Sequence, residues 1–205
     1  MKHLAAFVLF VLLGADAFAQ NKRVVILGDS IAAGYGIDPE DAYPALLQKK
    51  IDDAKLPYTV VNAGLSGDTT AGGLRRIDWI LKQPVEVLVI ELGGNDGLRG
   101  VPVTETRANL QGIIDRAKAK YPAAKIVIAG MKMPGNMGAE YTTQFEKVFA
   151  EIAAKNEAPL VPFLLEKVGG IPELNLPDRI HPTPEGHQII ANNVWPILEP
   201  VLRAK

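Results

Sequence analysis

Arg23-Val24-Val25-Ile26-Leu27-Gly28-Asp29-Ser30 is a short apolar, β-branched run that ends abruptly on a glycine, an acid and a hydroxyl. No polar residue alternates through it, which predicts a strand covered on both faces, as in a parallel sheet. Four further runs share the pattern, at Tyr58–Val61, Val85–Glu91, Lys125–Ala129 and Leu160–Phe163. Segments of helical period lie between and after them, at Asp41–Ala54, Thr70–Leu81, Thr104–Lys120, Tyr141–Asn156 and Thr183–Leu202. Strands alternating with helices imply right-handed crossovers and an α/β fold: a three-layer α/β/α sandwich on a parallel sheet of about five strands. No repeat, low-complexity stretch or linker interrupts the pattern, so residues 20–205 read as one domain.

Functional turns in such a sheet lie at the carboxyl ends of the strands. Three of these ends are rich in glycine and polar residues: Gly28-Asp29-Ser30, Gly64-Leu65-Ser66-Gly67-Asp68-Thr69 and Gly93-Gly94-Asn95-Asp96-Gly97. Far downstream stands Asp178-Arg179-Ile180-His181. A hydroxyl on a strand-to-helix turn, with a base and an acid to orient it, is the minimum equipment for covalent acyl transfer. The chain has two serines, Ser30 and Ser66. Ser30 is placed at a helix start, where unpaired N–H groups suit a developing oxyanion, although Asp29 or Ser30 could merely cap that helix. Ser66 reads more simply as a turn hydroxyl bonded to its own backbone.

An oxyanion needs donors, usually backbone N–H groups helped by an amide side chain. Asn95 can donate through its side chain or cap the next helix, and Asp96 could cap it equally well. Among the glycines, chemistry alone does not separate Gly67 from Gly64. Asp178 and His181 stand three apart, close enough in a tight turn for the carboxylate to reach Nδ1. Pro182 biases His181 away from helical geometry, and Thr183 with Pro184 reads as the start of the last helix. His187 falls inside that helix, where a satisfied or exposed imidazole is the simpler role.

Composition excludes several classes. The 205-residue chain is 48% hydrophobic and 22% charged, with a formal charge of −1 and no basic block, so neither nucleic acid nor an anionic membrane surface is an expected partner. Cysteine is absent, which removes disulfides, thiol nucleophiles and Cys-ligated zinc. At the N-terminus, Lys2 and His3 precede the apolar run Leu4–Leu13, and Ala17-Phe18-Ala19 sets small residues where a signal peptidase cuts. Residues 1–19 therefore read as a secretory signal peptide, and the mature protein as periplasmic or secreted with no stable membrane span. His3 would leave with it.

The blocks around Ser30, Gly67, Asn95 and Asp178-Arg179-Ile180-His181 stand in the order of the SGNH/GDSL hydrolase family, which the whole mature chain resembles. Asn62 to Thr69 and Glu91 to Gly100 are similar to its subgroup of bacterial periplasmic thioesterases, lysophospholipases and arylesterases. The resemblance implies a flavodoxin-like sandwich and a hydrolase of esters or thioesters that uses neither metal nor cofactor. It implies Ser30 as nucleophile, His181 as base and Asp178 as its partner. It also selects Gly67 over Gly64, with the Ser30 N–H and the Asn95 side chain, for the oxyanion hole. Gly-x-Ser-x-Gly is absent, since Ala32 stands two after Ser30, so an α/β-hydrolase elbow is not indicated.

Gly97-Leu98-Arg99-Gly100-Val101-Pro102 follows Asn95 directly and is expected to overhang the nucleophile as a glycine-hinged lid or to be an ordinary solvated loop. Leu98, Arg99, Val101, Met133 and Met137 are the candidate substrate contacts. Val168 to Pro177 matches no motif. Two rivals stand beside the lipid or aryl ester reading. One is a polysaccharide O-acetylesterase of the same family. The other is a Mg²⁺- or phosphate-binding module using Asp29, Asp68 and Asp96; against it, no Walker motif and no Gly-x-Gly-x-x-Gly follows the first strand.

Overall fold

A computed structural model of the chain describes residues 22–204. The signal-peptide reading of residues 1–19 lies outside them. Five strands form one parallel sheet: β1 (Lys22–Gly28), β2 (Tyr58–Gly64), β3 (Val87–Glu91), β4 (Lys125–Ala129) and β5 (Leu160–Val161). Among the described residues seven α-helices accompany them: α1 (Ser30–Ala33), α2 (Tyr43–Asp53), α3 (Thr70–Ile80), α4 (Gly94–Leu98), α5 (Val103–Lys120), α6 (Ala139–Lys155) and α7 (Pro184–Arg203). The spatial order of the strands is β2-β1-β3-β4-β5. Two helix groups, α2 with α7 and α3 with α5 and α6, pack as the outer layers.

This order has one consequence for function. The chain leaves β1 toward β2 on one side and returns to β3 on the other, so the order reverses at β1. Ligands in open α/β sheets bind outside the carboxyl ends of the strands at such a reversal. Gly28, the last residue of β1, pairs in register with Gly64 of β2 and Glu91 of β3. The three glycine-rich turns are therefore neighbours before any side chain is considered.

Burial follows strand position. All five residues of β3 are buried, as are Val24 to Gly28 of β1, whereas edge strand β2 is mostly half-buried. The apolar core is continuous through both helix layers. The sequence boundaries hold to within a few residues, with physical reasons at the exceptions. β5 stops at Val161 because Pro162 has no N–H for the ladder. The helix at Ser30 is a single turn of four residues, too short for the strong dipole expected of a full crossover helix; the longer α2 begins only at Tyr43.

Candidate active site

Ser30 opens α1 directly after β1, and Asp29, the N-cap, accepts from Ile31 N–H through Oδ1 at 3.0 Å. The cap belongs to Asp29, so the Ser30 side chain is free for another partner. That partner is His181: its Nε2 lies 2.9 Å from Ser30 Oγ. On the other side of the ring, His181 Nδ1 lies 2.7 Å from Asp178 Oδ2. Asp178 Oδ1 also accepts from the Ile180 and His181 N–H groups, at 2.9 and 3.0 Å. These donors, led by the His181 backbone, pull the Asp178 carboxyl down to about 2. An ionised Asp178 makes Nδ1 the donor, which leaves the Nε2 lone pair facing the Ser30 hydroxyl.

The turn that achieves this is sharp. Arg179 takes a left-handed backbone, φ +60°, unusual for a residue with a side chain. Leu176 N–H donates to the His181 carbonyl at 2.7 Å and Thr183 N–H to the Leu174 carbonyl, so the loop is tied at both ends. Asn175, buried, gives its side-chain amide to the Val168 and Ile171 carbonyls. The segment Val168 to Pro177, silent as sequence, is thus the clamp on which the His181 loop rests. Tyr35 lies over the imidazole, ring centroids 4.4 Å apart.

Gly67 and Gly64 separate cleanly. A Cβ on Gly64 would collide with the backbone of Ala32 and Ala33, so Gly64 is the floor on which α1 sits. Gly67 stands at φ +79°, where a Cβ would meet nothing closer than Arg99 Nη2 at 3.7 Å, and its carbonyl accepts from Arg99 Nη2 at 2.9 Å. Asp68 N–H closes the Gly67 turn onto the Leu65 carbonyl. Asn95 is not a cap; it is the second residue of α4, and its Nδ2 donates to Asp29 Oδ2 at 3.2 Å. Asp96 instead accepts from the Thr70 N–H at 2.8 Å and from the Thr70 hydroxyl, fastening α4 to the start of α3.

The three acids proposed for a cation are committed elsewhere. Asp29 takes Ile31 and Asn95, Asp96 takes Thr70, and Asp68 pairs with Arg76 Nε at 2.7 Å. Arg76 in turn holds the Gly28 and Ala63 carbonyls, pinning the ends of β1 and β2. Beneath Asp29 lies Glu91, buried, whose Oε2 accepts from the Asp29 N–H at 3.2 Å. Burial, followed by the Asp29 charge, raises its carboxyl well above the usual range. Asp29 itself is pushed up to about 6, by burial first, with its hydrogen-bond donors and His181 opposing.

A cavity of about 510 Å³ opens beside Ser30 and His181. Its apolar wall comprises Ile31, Leu98, Met131, Met133, Phe163 and Ile180. Of the expected substrate contacts, Leu98 and Met133 line it. Arg99, Val101 and Met137 do not: Arg99 is turned to Gly67, the Val101 carbonyl accepts from Tyr141, and Met137 lies in a short 3₁₀ turn at Gly135–Met137. The hinge expected at Gly97 is corrected as well. Gly97 is helical and buried, and a Cβ there would strike the Met133 side chain, so it is a packing seat under α4. Phe163, Ile31 and Asn175 carried no sequence signal beyond apolarity or turn chemistry.

His187 is buried in the first turn of α7, and its Nδ1 accepts from the Tyr43 N–H at 3.1 Å. It thereby caps α2, whose own N-cap residue, Ala42, has no side chain to do so.

A profile of the GDSL-like lipase/acylhydrolase family matches residues 26–189. The chain is 42% identical to the esterase TesA of Pseudomonas aeruginosa, covering 94% of each chain. It is 38% identical to a protein of Escherichia coli named thioesterase 1/protease 1/lysophospholipase L1, covering 96% of this chain and 92% of that one. The crystal structure of a psychrotrophic esterase, EstA of Pseudoalteromonas sp., inhibited by monoethylphosphonate, superimposes with a TM-score of 0.83 at 31% identity, over 90% of this chain and 100% of that one. On the strength of the profile, the relatives and the shared fold, the chain belongs to the GDSL-like lipase/acylhydrolase family.

Proposed function

We propose that this ester hydrolase works through a covalent acyl-enzyme on Ser30. The observation that carries the reading is the unbroken chain from Ser30 Oγ to His181 Nε2 at 2.9 Å and from His181 Nδ1 to Asp178 at 2.7 Å. His181 takes the hydroxyl proton as Ser30 attacks the acyl carbonyl, and Asp178 holds the tautomer and stabilises the imidazolium. The Ser30 and Gly67 N–H groups and the Asn95 amide receive the oxyanion. His181 then gives its proton to the leaving alcohol or thiol, and water activated by His181 releases the acid.

The apolar wall of the cavity supports an acyl chain as the group held there, in lipid, aryl or thioester substrates. A hydrolysis series from acetyl to long-chain aryl esters, with lysophospholipid and an acyl thioester beside it, tests this. Turnover should rise with chain length until the cavity is filled. A maximum at acetyl, with acetylated polysaccharide as the better substrate, would move the function to the O-acetylesterase reading.

We also propose that the protein is exported with cleavage after Ala19, on the basis of the apolar run and the small residues before the cut. N-terminal sequencing of the protein recovered outside the cytoplasm should begin at Gln20.

A further inference from the structure

An oxyanion donor on an asparagine side chain has an inherent ambiguity. The amide oxygen and nitrogen are nearly the same size, so half a turn about the last bond replaces the N–H by a carbonyl oxygen that would repel the oxyanion. Something must select the donor face. Among the described residues the one side-chain partner of Asn95 is Asp29, whose Oδ2 lies 3.2 Å from Asn95 Nδ2. An ionised carboxylate only accepts, so it excludes the flipped amide. With one N–H anchored on Asp29, the planar geometry of the amide fixes the direction of the second.

The same carboxylate reaches the nucleophile. Asp29 Oδ1 accepts from Ile31 N–H in the single turn that carries Ser30. Its backbone N–H is held by Glu91 from below. Gly94, on the other side, lets the carboxylate approach α4: a Cβ there would come within 3.3 Å of Asp29 Oδ2. Asp29 is only 2% exposed, so water does not compete for these bonds.

We propose that Asp29 is a positioning residue for hydrolysis, holding the Asn95 amide with its donor face toward the oxyanion and in register with the Ser30 turn. The proposal rests on the reading of Ser30 as nucleophile and Asn95 as oxyanion donor. It assigns to the acid of the Gly28-Asp29-Ser30 turn a task in the transition state beyond capping a helix. Since the oxyanion forms only after attack, the effect belongs in kcat and not in KM.

A double-mutant cycle tests it, with turnover counted per site titrated by a fluorophosphonate so that unfolded molecules do not enter. Asn95→Ala should lower kcat about 10²–10³-fold if the amide serves the oxyanion. Asp29→Asn can present its own N–H to Asn95 and so admits the flipped amide; kcat should fall about 10- to 100-fold with KM changed little. In the Asn95→Ala background the same Asp29→Asn change should cost less than about 3-fold, because there is no amide left to orient. Gly94→Ala gives a second route should Asp29→Asn fold poorly, since it displaces the carboxylate and leaves its charge. Its smaller loss should also vanish without Asn95. Equal losses in both backgrounds would overturn the proposal and leave Asp29 a cap. Near-normal kcat in Asn95→Ala would overturn the oxyanion reading beneath it, a distinguishable result.

Discussion

His181 and His187 stand six residues apart at the start of the same helix and are built for opposite ends. His181, in the loop before α7, has a carboxylate on Nδ1 and the Ser30 hydroxyl on Nε2. His187, one turn into the helix and buried, has a backbone N–H on Nδ1 instead. A carboxylate at Nδ1 makes that nitrogen a donor and leaves Nε2 free to accept. A backbone N–H at Nδ1 makes it an acceptor and forbids one. Burial first, and then the charge of His181, also pull His187 down to about 4. The partner at one ring nitrogen, more than the residue type, decides which imidazole can work as a base.

The largest effects should come from the His181 arm of this contrast. Ser30→Ala and His181→Ala should each lower kcat by about 10⁴–10⁶-fold with unfolding midpoints near wild type, and Asp178→Asn by about 10³–10⁴-fold. Fluorophosphonate labelling should be lost with Ser30 and retained in Ser66→Ala. His187→Asn, which keeps an acceptor for Tyr43, should leave kcat per folded molecule within a few-fold. Loss of turnover in His187→Asn as severe as in His181→Ala would erase the distinction.

A subtler effect lies in the pH dependence of stability. The folded His187 stays neutral to about pH 4, whereas in the unfolded chain it takes up a proton near 6.5. As pH falls between those values the unfolded state binds more protons, so the His187 contribution is destabilising there, by up to about 3 kcal/mol. Asp29 works in the other sense. Its folded value of about 6 lies above the unfolded 3.8, so the fold gains stability as pH falls through 6 toward 4. The two offset one another in the wild type. Urea unfolding should therefore show His187→Asn gaining up to about 3 kcal/mol on the wild type between pH 7 and pH 4. A constant difference would mean that His187 protonates freely in the folded protein.

The smallest effect concerns the bend between Asp178 and His181. Arg179→Gly relieves a left-handed backbone at φ +60° but loosens the unfolded chain, so stability should change by less than about 1 kcal/mol. Turnover on short esters should stay near wild type. A tenfold loss there would show that the side chain of Arg179, a residue lining the cavity, meets the substrate.

Much of this was legible in the sequence because it is local. Continuous apolar runs give strands, periodic ones give helices, and the three polar turns fall at strand ends whichever way the chain folds. Asp178 and His181 are three apart, so their pairing needs only a tight turn. The hydroxyl in Gly28-Asp29-Ser30 and the amide of Asn95 each read equally well as helix caps when taken alone, and only the blocks taken together favour chemistry. Gly97 misled because a glycine that admits a neighbouring Met133 reads the same as one that allows motion.

The sequence by itself determined the alternation of strands and helices, the turns that carry polar groups, and the acid–imidazole pair on one loop. Tertiary structure alone decided that Ser30 meets a histidine 151 positions away, that Asp29 takes Asn95, that His187 caps a distant helix, and that Val168 to Pro177 clamps the base. The division has a physical cause. Backbone conformation is governed by near neighbours along the chain, whereas hydrogen-bond partners at a reversal in strand order are set by which strands lie side by side. That choice is made by burying the whole core at once, and no single segment records it.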